Sequence, residues 1–208
     1  MSLYNTPILP VKKNRLDEDG DPEYCFVQDL QAINQHVVTP HPVVPDPSTM
    51  LLQIPHWVRY FTVIDLTTTS FSIPLDEDSQ LLFAFTWKGQ QLTWMCLPQG
   101  FAGSPTIFSQ ILGNDLRDIK LLGESALVQY VDDLLIASKD EDTCIGDTVH
   151  LCTALVEKDY RASSSKLQLC QKEVKYLRFI LREGQQLIDP EKREAIIKLP
   201  HLATKKQL

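Results

Sequence analysis

What this chain lacks narrows its class before anything in it is read. No apolar run reaches the roughly 20 residues of a membrane-spanning helix, and the start MSLYNTPILPVKK is not a secretory signal. An intracellular protein with no membrane partner is therefore expected. The five cysteines (Cys25, Cys96, Cys144, Cys152 and Cys170) contain no C-x-x-C spacing, which argues against a zinc site and against a disulfide framework. The five histidines contain no H-x-x-x-H pair, so a transition-metal site is not expected. Positive charge is short as well: 20 Lys and Arg against 27 Asp and Glu leave a net charge of −7. That counts against a free-standing nucleic-acid binder with a broad basic face, although local clusters stand at Lys12, Lys13 and Arg15 and at Lys192, Arg193, Lys198, Lys205 and Lys206.

What is present is enough for a folded domain, since 43% of the 208 residues are hydrophobic. Residues 1–59 carry proline at 7, 10, 22, 40, 42, 45, 47 and 55, which forbids long helices and central strands there. LDEDGDPE (16–23) reads as an acidic solvated loop and TPHPVVPDPS (39–48) as an extended connector. From Tyr60 the pattern tightens. Strands are predicted at 60–66, 71–75, 81–87, 92–96, 126–131, 134–138 and 174–181. A helix over 104–119 is predicted to take Ser104 as N-cap and Pro105 at its first position. A second over 141–159 is expected to turn Ile145, Val149, Cys152, Leu155 and Val156 inward. Trp57, Trp87 and Trp94 are expected to pack in the core.

With residues 71–96 taken as an insertion, the order is β-α-β-β-α-β, a split, ferredoxin-like antiparallel sheet with two packed helices, of class α+β. That order lays the strand ending at Asp65 beside the strand starting after Asp132 and Asp133. In VQYVDDLLIAS (128–138) those two aspartates interrupt an apolar run that otherwise reads as a buried strand. Adjacent buried carboxylates lose hydration and repel each other unless something offsets both. Taken alone, a D-D pair is a common hairpin turn. Joined by Asp65, the three become a hard, all-oxygen ligand set suited to Mg²⁺ or Mn²⁺. Two such ions would clamp the attacking and leaving oxygens of a phosphoryl transfer. Asp65 and Asp132 are expected to be the principal metal bridges and Asp133 the weaker ligand.

YVDD (130–133) resembles the active-site motif of retroviral reverse transcriptases, and LPQG (97–100) resembles their nucleotide-pocket turn. NTPILPVKK (5–13), VQDLQAIN (27–34), LLFAFTW (81–87), LTWMCLPQGF (92–101), SPTIF (104–108), QYVDDLLIAS (129–138), YRAS (160–163) and CQKEVKYL (170–177) are similar, in order, to the gammaretroviral, murine leukaemia virus-like branch. The resemblance runs from about residue 5 to 199 and describes a fingers and palm portion of an endogenous retroviral pol polyprotein. It implies a right-hand polymerase fold, with 1–59 as fingers, 60–199 as palm with intermixed fingers, and 200–208 as the start of a thumb linker or a tail. Thumb, connection and ribonuclease H domains would belong to a longer precursor. The implied activity is RNA-directed DNA polymerisation with two Mg²⁺ or Mn²⁺ ions, an RNA or DNA template with primer, and deoxynucleoside triphosphates.

By the same resemblance Asp65, Asp132 and Asp133 match the catalytic triad. Tyr130 and Val131 match the pair under the primer end and incoming nucleotide, and Gln99 and Gly100 the turn at its sugar. Lys13 matches the fingers lysine at the triphosphate, Lys166 a palm lysine near the active site, and Ser70 the residue under the sugar. Several positions depart from the family pattern: Cys25 in place of an arginine, Thr68 in place of an acidic residue, Ser70 in place of an aromatic, and Arg178 in place of a glycine. The acidic loop 16–23 also stands where a fingertip should meet phosphate. These departures define the alternative expectation, a catalytically degenerate remnant serving as an interaction or nucleic-acid-binding module.

Overall fold

The computed structural model describes residues 2–16, 20–38, 46–67, 69–183 and 185–198, without the side chains of Lys13, Asn14, Arg15, Cys25, Thr69, Ser70, Glu191, Lys192, Ala195 and Ile196. The chain divides into two compact units, one of residues 1–44, 66–118 and 156–161 and the other of residues 45–65, 119–155 and 162–208. Among the described residues no helix is long and apolar enough to cross a membrane. The four described cysteines, Cys96, Cys144, Cys152 and Cys170, are free thiols.

The first unit begins with a ribbon that proline spacing alone does not reveal. Strand Ile8–Leu16 pairs antiparallel with strand Pro22–Gln28, Pro10 facing Phe26 and Leu16 facing Pro22. A two-stranded ribbon leaves each strand one free edge, so a missing N–H is tolerated. The predicted strands at 71–75 and 81–87 are mostly short helical turns. Thr69–Ser72 and Leu81–Phe83 are 3₁₀ turns, Glu77–Gln80 is a helical turn, Phe85–Trp87 pairs with Gln90–Leu92, and Pro74 makes an isolated antiparallel bridge to Cys96. Asp76 caps the Glu77–Gln80 turn through Asp78 N, a local signal that overrides the apolar run after it. The Lys88–Gly89 turn has positive φ at both residues (48° and 76°), the geometry of a tight two-residue hairpin.

Helix Ser104–Arg117 buries Phe108, Leu112 and Leu116. Its N-cap is Gly103, not Ser104; the Ser104 hydroxyl instead donates to Pro98 O at 2.9 Å. Pro105 sits in the first turn, where its absent N–H costs nothing. At the centre of the unit the buried Gln28 side chain donates to Thr6 Oγ1 (2.6 Å) and Phe83 O (3.0 Å) and accepts from Trp94 Nε1 (2.6 Å). Trp94 also stacks on Phe71 at 5.3 Å, so it packs as expected. Trp87 does not: it is 53% exposed on its short hairpin.

The second unit is built on an antiparallel sheet ordered Ala126–Tyr130, Asp133–Ser138, Tyr60–Thr67, with Arg161–Ala162 and Gln168–Gln171 on the far side of the last. The predicted adjacency of the 60–66 and 134–138 strands is therefore present, with Tyr60 opposite Ser138 and Asp65 opposite Asp133. The fourth strand position is not filled by 174–181. That segment folds as its own hairpin, Glu173–Tyr176 with Phe179–Arg182, and Gln185–Ile188 completes a three-stranded sheet. Apolar continuity from Val174 to Leu181 hides the turn, because Leu177 and Arg178 hold φ of 49° and 66° without glycine.

Side chains alternate across the central strands with period two. Phe61, Val63, Leu135 and Ala137 join Val174, Tyr176 and Leu181 in one buried cluster, with Met50, Leu51 and Val58 from the 47–58 segment. Thr62, in register with Ile136, meets helix Glu141–Glu157 instead. That helix lies differently from the predicted face. Cys144, Asp147, Thr148, Leu151 and Leu155 are buried, whereas Ile145, Val149 and Val156 are 40%, 60% and 69% exposed. Thr148 can face inward because it is paired, whereas Asp147 accepts from Leu122 N and Gly123 N through Oδ1 alone and its buried Oδ2 has no hydrogen-bond partner among the described residues. The Thr148 hydroxyl donates to Cys144 O (2.7 Å) and meets Thr62 Oγ1 at 3.0 Å, and Thr62 Oγ1 also accepts from Cys170 N (3.0 Å).

Candidate active site

A two-residue turn, Val131–Asp132, joins strand Ala126–Tyr130 to strand Asp133–Ser138, with Tyr130 paired to Asp133 across it. Val131 has φ of 53°, a conformation that a β-branched residue adopts only under constraint. The turn places Asp132 at the tip and Asp133 on the strand, in direct register with Asp65. Residues directly opposite on antiparallel strands share a face, with Cβ atoms about 4.5–5.5 Å apart. Two carboxylates from positions 68 residues apart in sequence thus come together because of strand register, and the third follows from the turn.

The cluster is electrostatically unbalanced. Asp133 is pushed up to about 6, first by burial and then by the charges of Asp132 and Asp65, with Lys166 opposing. Asp132 is raised as well, mainly by burial, with a backbone hydrogen bond opposing it and the Asp65 charge adding to it. Lys166 is the cation that acts on all three, and its Nζ donates to both Asp65 oxygens at 3.1 and 2.9 Å. Its own pKa is raised, first by that hydrogen bond and then by the Asp65 charge. Asp65 O accepts from Ser163 N at 2.8 Å, which ties the strand end to the segment leading to Lys166.

One lysine does not neutralise three carboxylates, and the remaining donors are all hard oxygens. That chemistry fits a divalent cation such as Mg²⁺ or Mn²⁺. Among the described residues no three acidic, histidine or cysteine side chains converge on one point as they stand. Asp65 turns both its oxygens to Lys166, so a cation there would exchange places with the ammonium.

The other expected residues fall elsewhere. Gln99 and Gly100 belong to the first unit, and Gly100 holds φ of 88°, the left-handed region that suits glycine. Asn34 latches that turn: its Nδ2 donates to Gly100 O (2.9 Å) and its Oδ1 accepts from Ala102 N (2.9 Å). The side chains of Lys13, Cys25 and Ser70, and the whole of Thr68 and of residues 17–19 in the acidic loop, lie outside the described residues. Tyr130 is half-buried beside the turn.

Two residues escape the sequence reading. Asn34 is visible only as part of the VQDLQAIN stretch, and nothing in its spacing signals a latch. Tyr176 is 2% exposed, and its hydroxyl donates to Asp133 O at 3.1 Å. Burial, then the Asp133 carboxylate, push its phenol pKa up, so the group stays a protonated donor.

The family described as reverse transcriptase (RNA-dependent DNA polymerase) matches residues 23–181. The chain is 44% identical over 214 residues to a Gag-Pol polyprotein of avian reticuloendotheliosis virus, covering 100% of this chain and 18% of that protein. It is 44% identical over 206 residues to the Gag-Pol polyprotein of baboon endogenous virus (strain M7), covering 96% of this chain and 12% of the relative. The chain therefore spans less than a fifth of either relative. Among solved structures, the foamy viral protease-reverse transcriptase dRH in complex with double-stranded DNA superposes with a TM-score of 0.80 at 28% identity, over 100% of this chain and 34% of that one. With the family match over most of its length, and with relatives 44% identical over nearly the whole chain, the chain belongs to the reverse transcriptase (RNA-dependent DNA polymerase) family.

Proposed function

We propose that this chain is the fingers and palm portion of an RNA-directed DNA polymerase that extends a primer 3′-OH with deoxynucleotides. The observation that carries the reading is the register of Asp65 against Asp133 beside the Asp132 turn, an acidic cluster that one lysine leaves under-neutralised. Asp65, Asp132 and Asp133 would hold Mg²⁺ or Mn²⁺, two ions when substrate is present. Bound there, the metal supplies Lewis-acid stabilisation of the attacking and leaving oxygens. The chain's own groups do the rest. The strained Val131 turn carries Asp132, and Tyr130 and Val131 are assigned by family position to the primer end and incoming nucleotide. Lys166, once released from Asp65, is free to donate to phosphate oxygens. The Gln99–Gly100 turn, with Gly100 in the left-handed region and latched by Asn34, is assigned to the nucleotide sugar by family position. Lys13 is assigned to the triphosphate and Ser70 to the sugar face by family position.

In this reading residues 1–59 serve as fingers, 60–199 as palm with intermixed fingers, and 200–208 lead toward a thumb. The natural setting is a longer pol polyprotein, virion-associated or cytoplasmic, acting on an RNA or DNA template. Primer extension on an RNA template with Mg²⁺ or Mn²⁺, beside Asp132→Asn, tests it. Extension by the wild-type chain that Asp132→Asn abolishes supports the reading.

A second reading is favoured by Arg178. Its φ of 66° falls where the family carries glycine, and together with Cys25, Thr68 and Ser70 it marks eroded substrate contacts around an intact acidic cluster. In that reading the chain is a degenerate remnant that binds nucleic acid or a partner without polymerising. No extension above the Asp132→Asn control, at high protein concentration, selects it.

A further inference from the structure

The turn that carries the acidic cluster is strained, and strain of that kind persists only where neighbouring structure over-determines it. Val131 holds φ of 53° in a loop of two residues. One constraint comes from outside the sheet that contains the turn. Tyr176 stands at the end of strand Glu173–Tyr176, paired with Phe179 across the Leu177–Arg178 turn, and its ring is buried in the cluster with Phe61, Val63, Leu135 and Leu181. From there its hydroxyl donates to the main-chain carbonyl of Asp133 at 3.1 Å. A phenylalanine would fill the same apolar space. The hydroxyl is tolerated in so buried a place because it is bonded, and its acceptor is the residue that faces Asp65.

We propose that Tyr176 is a positioning residue for the acidic turn, its hydroxyl fixing the Asp133 peptide plane and through it the direction in which the Asp133 carboxylate meets Asp65. The plane that the hydroxyl holds begins at the Asp133 Cα, the atom from which the carboxylate side chain departs. A tyrosine ring has two rotatable bonds, and packing holds this one, so the constraint is stiff. The hairpin whose turn is Leu177–Arg178 is thereby linked to the carboxylates by one hydrogen bond. The consequence for catalysis rests on the polymerase reading above; the consequence for the turn's geometry does not.

The test compares the full chain with Tyr176→Phe, which removes the hydroxyl and leaves the ring. Val174→Ala, a cavity in the same cluster with the hydroxyl retained, serves as a stability-matched control. Three quantities are read: amide hydrogen exchange over residues 130–134, Mn²⁺ affinity from the paramagnetic signal of free Mn²⁺, and kcat and KM for primer extension. Tyr176→Phe is expected to speed exchange at the turn and to weaken Mn²⁺ binding by about threefold to tenfold, the scale of one hydrogen bond. It should lower kcat with little change in KM for the primer–template, while Val174→Ala leaves exchange at the turn and Mn²⁺ affinity unchanged. Unaltered exchange and Mn²⁺ affinity in Tyr176→Phe overturn the proposal. So does an equal loss in Val174→Ala at matched melting temperature, which would make the role merely structural. A wild-type chain that neither binds Mn²⁺ nor extends a primer removes the polymerase reading, and turn exchange alone then decides the fate of the Tyr176 assignment.

Discussion

Arg178 carries the clearest cost of any single residue outside the acidic cluster. At φ of 66° its Cβ crowds the backbone, a penalty of about 1–2 kcal/mol for a non-glycine residue, partly offset because glycine would give the unfolded chain more freedom. Arg178→Gly is therefore expected to stabilise the chain by about 0.5–1 kcal/mol, read as a rise of a few degrees in thermal melting; an unchanged or lower midpoint would show that the arginine is not strained in solution. Asp133 gives a pH signature. Its pKa is raised from an unfolded value of about 3.9 to about 6, so the folded state holds the extra proton and stability from this group falls as pH rises between those values. The penalty is absent below the lower value and complete above the upper. Because the group is half-buried, solvent screening reduces it to about 1 kcal/mol. Asp133→Asn should flatten the pH dependence over that window and stabilise the metal-free chain at neutral pH, as measured by denaturant unfolding in chelator. The acidic residues themselves were legible, because three carboxylates at apolar strand ends break the hydrophobic pattern. Tyr176 and Asn34 were not, since a single long-range hydrogen bond leaves no periodic trace in a sequence.

Elements were legible where their stabilisation is local. The helices at 104–117 and 141–157 and the strands on either side of the acidic turn follow from apolar spacing and, for the first helix, from Pro105 in its first turn. Elements decided by tertiary pairing were not. The Ile8–Leu16 ribbon looks proline-broken, and the 174–181 hairpin turns on two bulky residues in the left-handed region. The rotated face of helix Glu141–Glu157 has the same origin. Apolar Ile145 and Val149 suggest an inward stripe, but Thr148 enters the core because Cys144 O and Thr62 Oγ1 together satisfy its hydroxyl. Thr62 can thus be tested against Val149. Thr62→Val strands the part-buried Cys170 N–H and takes one partner from the Thr148 hydroxyl, which keeps Cys144 O, and should cost about 1–2 kcal/mol. Val149→Ala, at a position 60% exposed, should cost less than about 0.5 kcal/mol. Urea unfolding of the two variants distinguishes the faces, and the reverse ranking would restore the periodicity-based one.

At the scale of the whole molecule, an acidic chain holding an unbalanced acidic cluster should be stabilised by the cation that balances it. Anything that binds the folded form and not the unfolded form adds RT ln(1 + [L]/Kd), about 2.7 kcal/mol at a hundredfold excess over Kd. For a chain of this size each kcal/mol moves the melting midpoint by about 2–4 °C. Millimolar Mn²⁺ should therefore raise the midpoint of the wild-type chain by several degrees. A net charge of −7 creates a rival explanation, since any divalent ion screens general repulsion among surface carboxylates. Asp132→Asn separates the two. It lowers the overall negative charge by one and leaves the rest of the surface intact, so screening predicts nearly the same shift. A resident site at Asp65, Asp132 and Asp133 predicts that most of the shift disappears. Lys166 adds a further discriminator, because its ammonium occupies both Asp65 oxygens in the metal-free chain. A cation that enters must displace it, so the Mn²⁺ shift should be larger in Lys166→Met than in wild type, from a lower metal-free midpoint. Simple screening gives no reason for that order. Equal shifts in all three proteins would assign the stabilisation to bulk charge and leave the acidic cluster without a metal.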